Sequence, residues 1–394
     1  MKVVYVLGAG FSKPAGLPLM DEFVSRMVDR GQSGQINEAN FKIWHDFVKE
    51  RLAEQADEIN DDKYPLNFRN LESLLSFLAL DESHRPILEA LILSIAETIN
   101  IKFDNLPGKK MSRAEYSLFF NWINENYGAI HNALDLWVQV GTQFTPPMTL
   151  NYAKLLFLTA LGFPGQRTTS TTIVSFNYDL LIESECILKF FGKEVKKHVS
   201  YWVGDNNIIQ GDPRFTFVKP NGSLNCVFCD RCGSLSVDDL ATRPYFCLEC
   251  KSLAHPLIIP PTTTRDKGSF GKLDEVLYRS FSEADYIVFI GFSFPKTDNR
   301  FGQLIGRALK PKLKFQKLVV LCPGIKPEET GYANFILHGN VKGTYQYGIR
   351  GEEHHHVEKC FDFDGSLYTD FLSVFGQGLT EVRQDLSWRR EHLK

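Results

Sequence analysis

No stretch of the chain approaches the ~18 uninterrupted apolar residues that a membrane-crossing helix needs, so no span is expected. A charge excess is missing too. The 44 Lys and Arg against 47 Asp and Glu leave a net charge of -3, which gives no electrostatic reason to expect direct nucleic-acid binding. The first apolar run, Val3-Val4-Tyr5-Val6-Leu7, enters a glycine turn and not a small-residue cleavage site, so it reads as a strand and not as a secretory leader. Dispersed cysteines, the mark of a disulfide framework, are also lacking, because five of the eight crowd into residues 226–250. Internal repeats and low-complexity linkers are absent. Together these gaps imply a globular protein of the cytoplasm.

What the chain does have is bulk and apolar periodicity. Its 394 residues suffice for one large domain with insertions or for two of ordinary size. Hydrophobic residues at 43% against 23% charged, with 31 Phe, supply a sizeable core. The run at residues 3–7 is β-branched and unbroken, as in a strand buried on both faces. Gly8-Ala9-Gly10-Phe11-Ser12-Lys13 follows, then a helix predicted to begin near Leu19. Strand, glycine turn and helix form the first unit of a nucleotide-binding α/β fold. Strand-like runs return at 172–176, 215–219, 286–290 and 318–321, most leading into Gly, Pro, Asn or Asp. That alternation predicts an α/β fold with a Rossmann-like parallel sheet, whose loops at the carboxyl ends build a ligand site. Between residues 20 and 165 helical spacing dominates, at 70–78, 86–97 and 117–139, which predicts a helical insertion without a clear buried strand. The last segment, 379–393, has the pattern of an amphipathic helix, suited equally to core packing or to a subunit contact.

Gly8-x-Gly10 after a strand lets backbone N–H groups approach phosphates closely, with a following helix N-terminus adding favourable dipole. The full dinucleotide fingerprint is not met, because the position of its third glycine holds Lys13. No second strand ending in an acidic residue follows, so a nicotinamide-dependent oxidoreductase is disfavoured. The plain alternative is a tight turn with no ligand.

Cys226-x-x-Cys229-x-x-Cys232 and Cys247-x-x-Cys250 offer paired thiolates at the spacing tetrahedral zinc requires. One cysteine is surplus, and spacing alone leaves 17 intervening residues for one pairing and 14 for the other. Gly233, directly after Cys232, favours Cys229, Cys232, Cys247 and Cys250, since a knuckle turn benefits from a residue tolerant of positive φ. Cys226 remains the alternative to Cys232. A closed four-thiolate site has no open coordination position, so a ribbon over about residues 226–254 is expected to be structural, with redox chemistry as the lesser reading. His255 reads as packing under the ribbon; His354-His355-His356 reads as a solvated loop, and Cys186, Cys322 and Cys360 as ordinary packed thiols.

In order and combination these motifs resemble the sirtuin (SIR2) superfamily, in particular the SIR2-like domains of bacterial anti-phage defence proteins. Gly8-Ala9-Gly10-Phe11-Ser12 with Gly16-Leu17-Pro18 resembles the family's phosphate loop, and Ser175-Phe176-Asn177-Tyr178-Asp179 its strand-end NxD motif. Lys219-Pro220-Asn221-Gly222-Ser223-Leu224 resembles its HGS-type motif, with the ribbon directly after it. Residues 256–261 and Gly291-Phe292-Ser293-Phe294 continue the pattern, so the resemblance spans residues 1–325 and leaves 326–394 as a C-terminal extension for oligomer or partner contacts.

The resemblance implies that Gly8, Ala9, Gly10, Phe11, Ser12 and Pro18 cradle NAD, that Gly291 and Ser293 meet its adenosine side, and that Asn177 and Asp179 sit at the nicotinamide ribose. Asn177 could equally cap a helix over 180–191. The family's general base is a His, and this chain has Asn221 there, which cannot take up a proton near neutral pH. His198 and His255 are the nearest substitutes in sequence. The implied function is NAD hydrolysis to nicotinamide and ADP-ribose by a defence effector, gated by a homo-oligomer or a separately encoded partner such as a HerA-type ATPase. A non-catalytic NAD- or ADP-ribose-binding assembly module is the alternative, favoured by Asn221. Protein deacetylation is disfavoured, since it needs that His and a Phe-Gly-Glu segment that is replaced here by Ile259-Pro260-Pro261.

Overall fold

The computed structural model describes residues 2–57, 68, 70–99, 108–110, 149–161, 170–191, 195–237, 245–247, 249–259, 271–292, 299–309 and 317–321. In chain order, β1 (Lys2–Leu7) leads to a single helical turn α1 (Ala9–Ser12), followed by α2 (Met20–Gln32), α3 (Glu38–Asp57), α4 (Leu71–Leu78) and α5 (Arg85–Ile99). A short antiparallel pair, β2 (Gly108–Lys110) and β3 (Thr149–Asn151), precedes α6 (Tyr152–Ala160) and β4 (Ser170–Ser175). A π-helical segment, Glu183–Ile187, runs into α7 (Leu188–Phe191); α8 (Val195–His198), β5 (Ser200–Val203), β6 (Asn206–Gln210) and β7 (Phe215–Lys219) follow. The ribbon contributes β8 (Gly222–Phe228), β9 (Leu235–Val237), β10 (Tyr245–Phe246) and β11 (Leu253–Ile258). The chain then adds α9 (Lys272–Glu283), β12 (Tyr286–Ile290), α10 (Asn299–Leu309) and β13 (Lys317–Leu321).

Seven strands form one sheet in the order β13-β12-β1-β4-β7-β5-β6. All neighbours run parallel except the β5–β6 hairpin. Both faces are covered: β1 and β4 are buried at every residue but the first, β1 with an unbroken apolar run and β4 with Thr171, Thr172 and Ser175 among its buried residues. The chain leaves β1 toward β4 on one side and returns to β12 on the other, so the carboxyl end of β1 is the topological switch point where open α/β sheets take ligands.

The described residues include two apolar cores that bear on the site. One lies under the sheet, where Val4, Val6, Val174, Val218, Ile287 and Phe289 meet α9 and α10. The other joins the helices to the ribbon: Trp44, Leu75, Leu91 and Ile95 pack with Leu224, Val227, Cys229 and Ala254. Local signals set the helices. Asn70 caps α4 through Oδ1, which accepts the Ser73 amide at 3.1 Å, and Glu22 accepts the Leu19 amide at 3.1 Å to start α2. The buried Trp44 indole donates to Ser94 Oγ at 2.9 Å, so its one polar atom is satisfied.

The helix expected near Leu19 starts at Met20 with Leu19 as its cap, and one turn of helix, Ala9–Ser12, stands between it and β1. The insertion, expected to lack a clear buried strand, holds the short antiparallel β2–β3 pair. The β5–β6 hairpin was not anticipated either. The helix expected over 117–139, the segment 379–393, His354 to His356, Cys322, Cys360 and the 326–394 extension lie outside the described residues. No helix among the described residues is long and apolar enough to cross a membrane.

Candidate functional site

Strand register brings the motif residues to one rim of the sheet. Leu7 pairs with Ile290 on one side and Ser175 on the other, and Val174 pairs with Val218. The loops that follow these strands start with Gly291, Gly8, Phe176-Asn177 and Pro220-Asn221, and so emerge side by side.

At the centre the glycines interlock. The Gly8 amide donates to Ile290 O at 3.1 Å, the Gly10 amide to Gly291 O at 2.9 Å, and the Phe11 amide to Gly8 O at 2.9 Å. Gly291 sits at φ +59°, and a Cβ there would stand 2.2 Å from the Phe11 nitrogen; a Cβ on Gly8 would stand 2.5 Å from Gly291 O. Side chains are therefore excluded by backbone meeting backbone. The Gly10 and Phe11 amides are already engaged within the turn. Phe11, Ser12 and Pro18 are buried beside it, and Ala9 and Gly10 are partly exposed.

Asn177 closes this turn from β4. Its Nδ2 donates to Gly8 O at 2.8 Å and to Ser12 Oγ at 2.9 Å, with the side chain 6% exposed. Among the described residues no donor engages its Oδ1. The donor half of the amide is thus spent on the turn, and the acceptor half is left over. The helix-capping role considered for Asn177 belongs instead to Asp179, whose Oδ1 accepts the Leu181 amide at 3.0 Å. Asp179 and Asn221 are both buried at 7% exposure, and the Asn221 carbonyl accepts the Ile259 amide at 2.8 Å.

The two substitute histidines have other partners. His198 stacks on Phe191 with ring centroids 5.1 Å apart, and His255 binds Asp230 on the ribbon at 2.9 Å through Nε2. Ser293, Pro260 and Pro261 lie outside the described residues.

Sequence reading missed a buried charge cluster beneath the rim. Lys219 is fully buried, with Nζ 3.1 Å from Glu183 Oε1, and Glu185 of the same π-segment pairs with Lys154 at 3.4 Å. Burial pushes the Glu183 carboxyl up, against the pull of the Lys219 ammonium. The available signal was a lysine closing an otherwise apolar strand, Phe215-Thr216-Phe217-Val218-Lys219.

In the ribbon the four ligand atoms of Cys229, Cys232, Cys247 and Cys250 all lie within 4.8 Å of one another. Cys229 to Cys250 measures 3.6 Å and Cys232 to Cys247 3.5 Å. Zinc–sulfur bonds of about 2.3 Å in a tetrahedron put sulfurs roughly 3.8 Å apart, so the donor set fits zinc. Each Cys-x-x-Cys pair closes in the same way. Gly233 N–H donates to Cys229 O and Lys251 N–H to Cys247 O, and both residues take positive φ, 69° and 59°. The Ser234 hydroxyl and the Cys250 amide lower the Cys247 thiol to about 6, while Cys229 in the same cluster is raised to about 11. Cys226 stands apart in β8, fully buried, and burial pushes its thiol up to about 12. The alternative in which Cys226 replaces Cys232 is not what the geometry brings together.

No family model and no curated protein sequence matches the chain. Among solved structures it is similar to a Sir2 homolog in complex with NAD, at 14% identity and TM-score 0.38 over 91% of this chain and 88% of that one. It is likewise similar to a mutant Sir2 homologue in complex with ADP-ribose (14% identity, TM-score 0.37, 92% and 90% covered). A third is Sir2Tm bound to a propionylated peptide (14%, 0.32, 92% and 93%). Superpositions this loose carry no functional weight, which falls on the residues of this chain.

Proposed function

We propose that this chain is a SIR2-like NAD+ hydrolase that releases nicotinamide, acting in the cytoplasm as an anti-phage effector gated by a homo-oligomer or by a partner such as a HerA-type ATPase. The observation that carries the reading is the double grip on Asn177. With Nδ2 fixed by Gly8 O and Ser12 Oγ, its Oδ1 would be presented to a ligand at the glycine turn, accept a hydrogen bond from a water and aim it at the ribose carbon. Cleavage of such a glycosidic bond passes through an oxocarbenium-like state, and the Asp179 carboxylate would favour the positive charge that develops there. The turn, with Pro18 and Gly291, would hold the remainder of the dinucleotide; Ser293 belongs to the same proposal. Zinc on Cys229, Cys232, Cys247 and Cys250 would be structural, closing the ribbon.

Asn221 favours a second reading, a module that binds NAD or ADP-ribose without cleaving it. A general base contributes roughly 10²–10⁴ in rate, so its replacement slows the reaction without abolishing the departure step. Chromatographic measurement of nicotinamide release, with and without a HerA-type ATPase, separates the two. The hydrolase reading expects release that falls about 10²-fold or more in Asn177→Ala and rises in Asn221→His. NAD binding without release under every condition would establish the binding module instead.

A further inference from the structure

Lysine is among the residues least often fully buried, yet Lys219 has no exposed surface. Its Nζ donates to the backbone carbonyl of Asp179 at 2.5 Å and pairs with Glu183 Oε1 at 3.1 Å. The same Oε1 accepts from Ser223 Oγ at 3.3 Å, and the Tyr201 hydroxyl lies 3.0 Å from it and 3.0 Å from Asn225 Oδ1. One carboxylate oxygen thus gathers groups from β5, β7 and β8, three elements that end or begin at the rim. Its other oxygen, Oε2, is buried without a hydrogen-bond partner. A buried ion pair of this kind is poor value as a stabiliser, because well-packed apolar replacements are often neutral or better. Its geometry suggests another role. The segment carrying Asn177 is held at two successive carbonyls: Tyr178 O accepts the Leu224 amide of β8 at 3.2 Å, and Asp179 O accepts Lys219.

We propose that the Lys219–Glu183 pair is a positioning device that fixes the Asn177–Asp179 segment from below, keeping the Asn177 amide in register with the glycine turn. Lys219 grips the carbonyl, and Glu183, itself oriented by Tyr201 and Ser223, compensates the ammonium and aims it. The catalytic half of this inference rests on the hydrolase reading; the ordering half does not.

The experiment compares Lys219→Met with the double variant Lys219→Met/Glu183→Gln. The single variant strands Glu183 and loses stability; the double removes both charges and regains it. A positioning role keeps kcat for nicotinamide release roughly 10–100-fold down in the double variant, with KM within about twofold. A merely structural role restores kcat along with stability, and that result overturns the proposal. Hydrogen exchange at the Leu181 and Leu224 amides supplies a readout independent of activity: both must quicken in the stable double variant, and wild-type exchange there overturns the proposal. If the wild-type chain releases no nicotinamide, the hydrolase reading fails while the exchange result still decides this one. Should the double variant not fold, Tyr201→Phe, which takes a hydrogen bond from both Glu183 and Asn225 and leaves the Lys219–Glu183 pair in place, must quicken exchange at the same two amides to a smaller degree, and no change there sinks the idea.

Discussion

The core under the sheet and the core shared by helices and ribbon are closed by different means. Under the sheet, strands paired in register carry the backbone hydrogen bonds, and aromatic rings fill the remainder, with Phe176 stacked 4.7 Å from Phe292 and set edge-on to Phe301 at 4.6 Å. Nothing beyond hydrocarbon and ladder is required. The second core sets α2 to α5 against a ribbon of short strands whose knuckles include Cys229 and Cys247, both members of that core. Asp230, inside the first knuckle, binds Arg85 at the start of α5 at 2.9 Å and His255 at 2.9 Å. The first core is closed by the chain alone; the second abuts a four-cysteine cluster that could hold a metal.

That contrast breaks most sharply at the thiolates. Stripping metal with a strong chelator, or Cys247→Ser, should unfold the helical–ribbon body while leaving the sheet protected, since structural zinc contributes on the order of 10 kcal/mol in small metal-folded units. Segment-resolved hydrogen exchange reads both regions at once. Simultaneous loss of protection in both would show that the cores are one cooperative unit. Cys226→Ser, outside the cluster, should retain metal and cost only about 1–3 kcal/mol for burying a hydroxyl.

The next effect belongs to the sheet. Gly291→Ala places a methyl 2.2 Å from the Phe11 nitrogen at a positive φ, and a loss of about 2–4 kcal/mol is expected from strain and overpacking. Chemical denaturation should report it with zinc content unchanged. A loss of metal in this variant would contradict the independence of the two cores.

The smallest effect is at the Lys13–Glu22 pair, 2.7 Å apart and partly exposed. The Lys13 ammonium, with the Leu19 amide, holds the Glu22 carboxyl below its usual 4.5. The pair's contribution is therefore present above pH 4.5 and is lost as pH falls through the lowered folded value. At this exposure it amounts to no more than about 1 kcal/mol, so Glu22→Gln should lower Tm slightly at pH 7 and by progressively less as the pH falls below the lowered folded value.

The sheet was the more legible region because period and composition agreed there. The runs at 3–7, 172–176, 215–219, 286–290 and 318–321 correspond to β1, β4, β7, β12 and β13 within two residues at either end. The β5–β6 hairpin was hidden by its polar edge strand, Asn206–Gln210, although Gly204-Asp205 between two strand-length segments is a hairpin signal. In the ribbon, spacing could not choose among five cysteines, since Cys226 and Cys232 lie equally far from Cys229; Gly233 after Cys232 pointed to the set that the sulfur positions bring together. Asn177 was legible as a motif residue, but its partners were not, because Gly8 and Ser12 are 169 and 165 residues away. The Lys219–Glu183 cluster stayed invisible for the related reason that charged residues in sequence are taken for surface until burial is known.

Tyr178 joins the two regions. Its neighbours Asn177 and Asp179 belong to the sheet rim, while its own ring is a member of the helical–ribbon core at 2% exposure. Three consecutive residues therefore belong to both regions at once, and a displacement of the helical–ribbon core at Tyr178 would be passed along the chain to Asn177 on one side and Asp179 on the other.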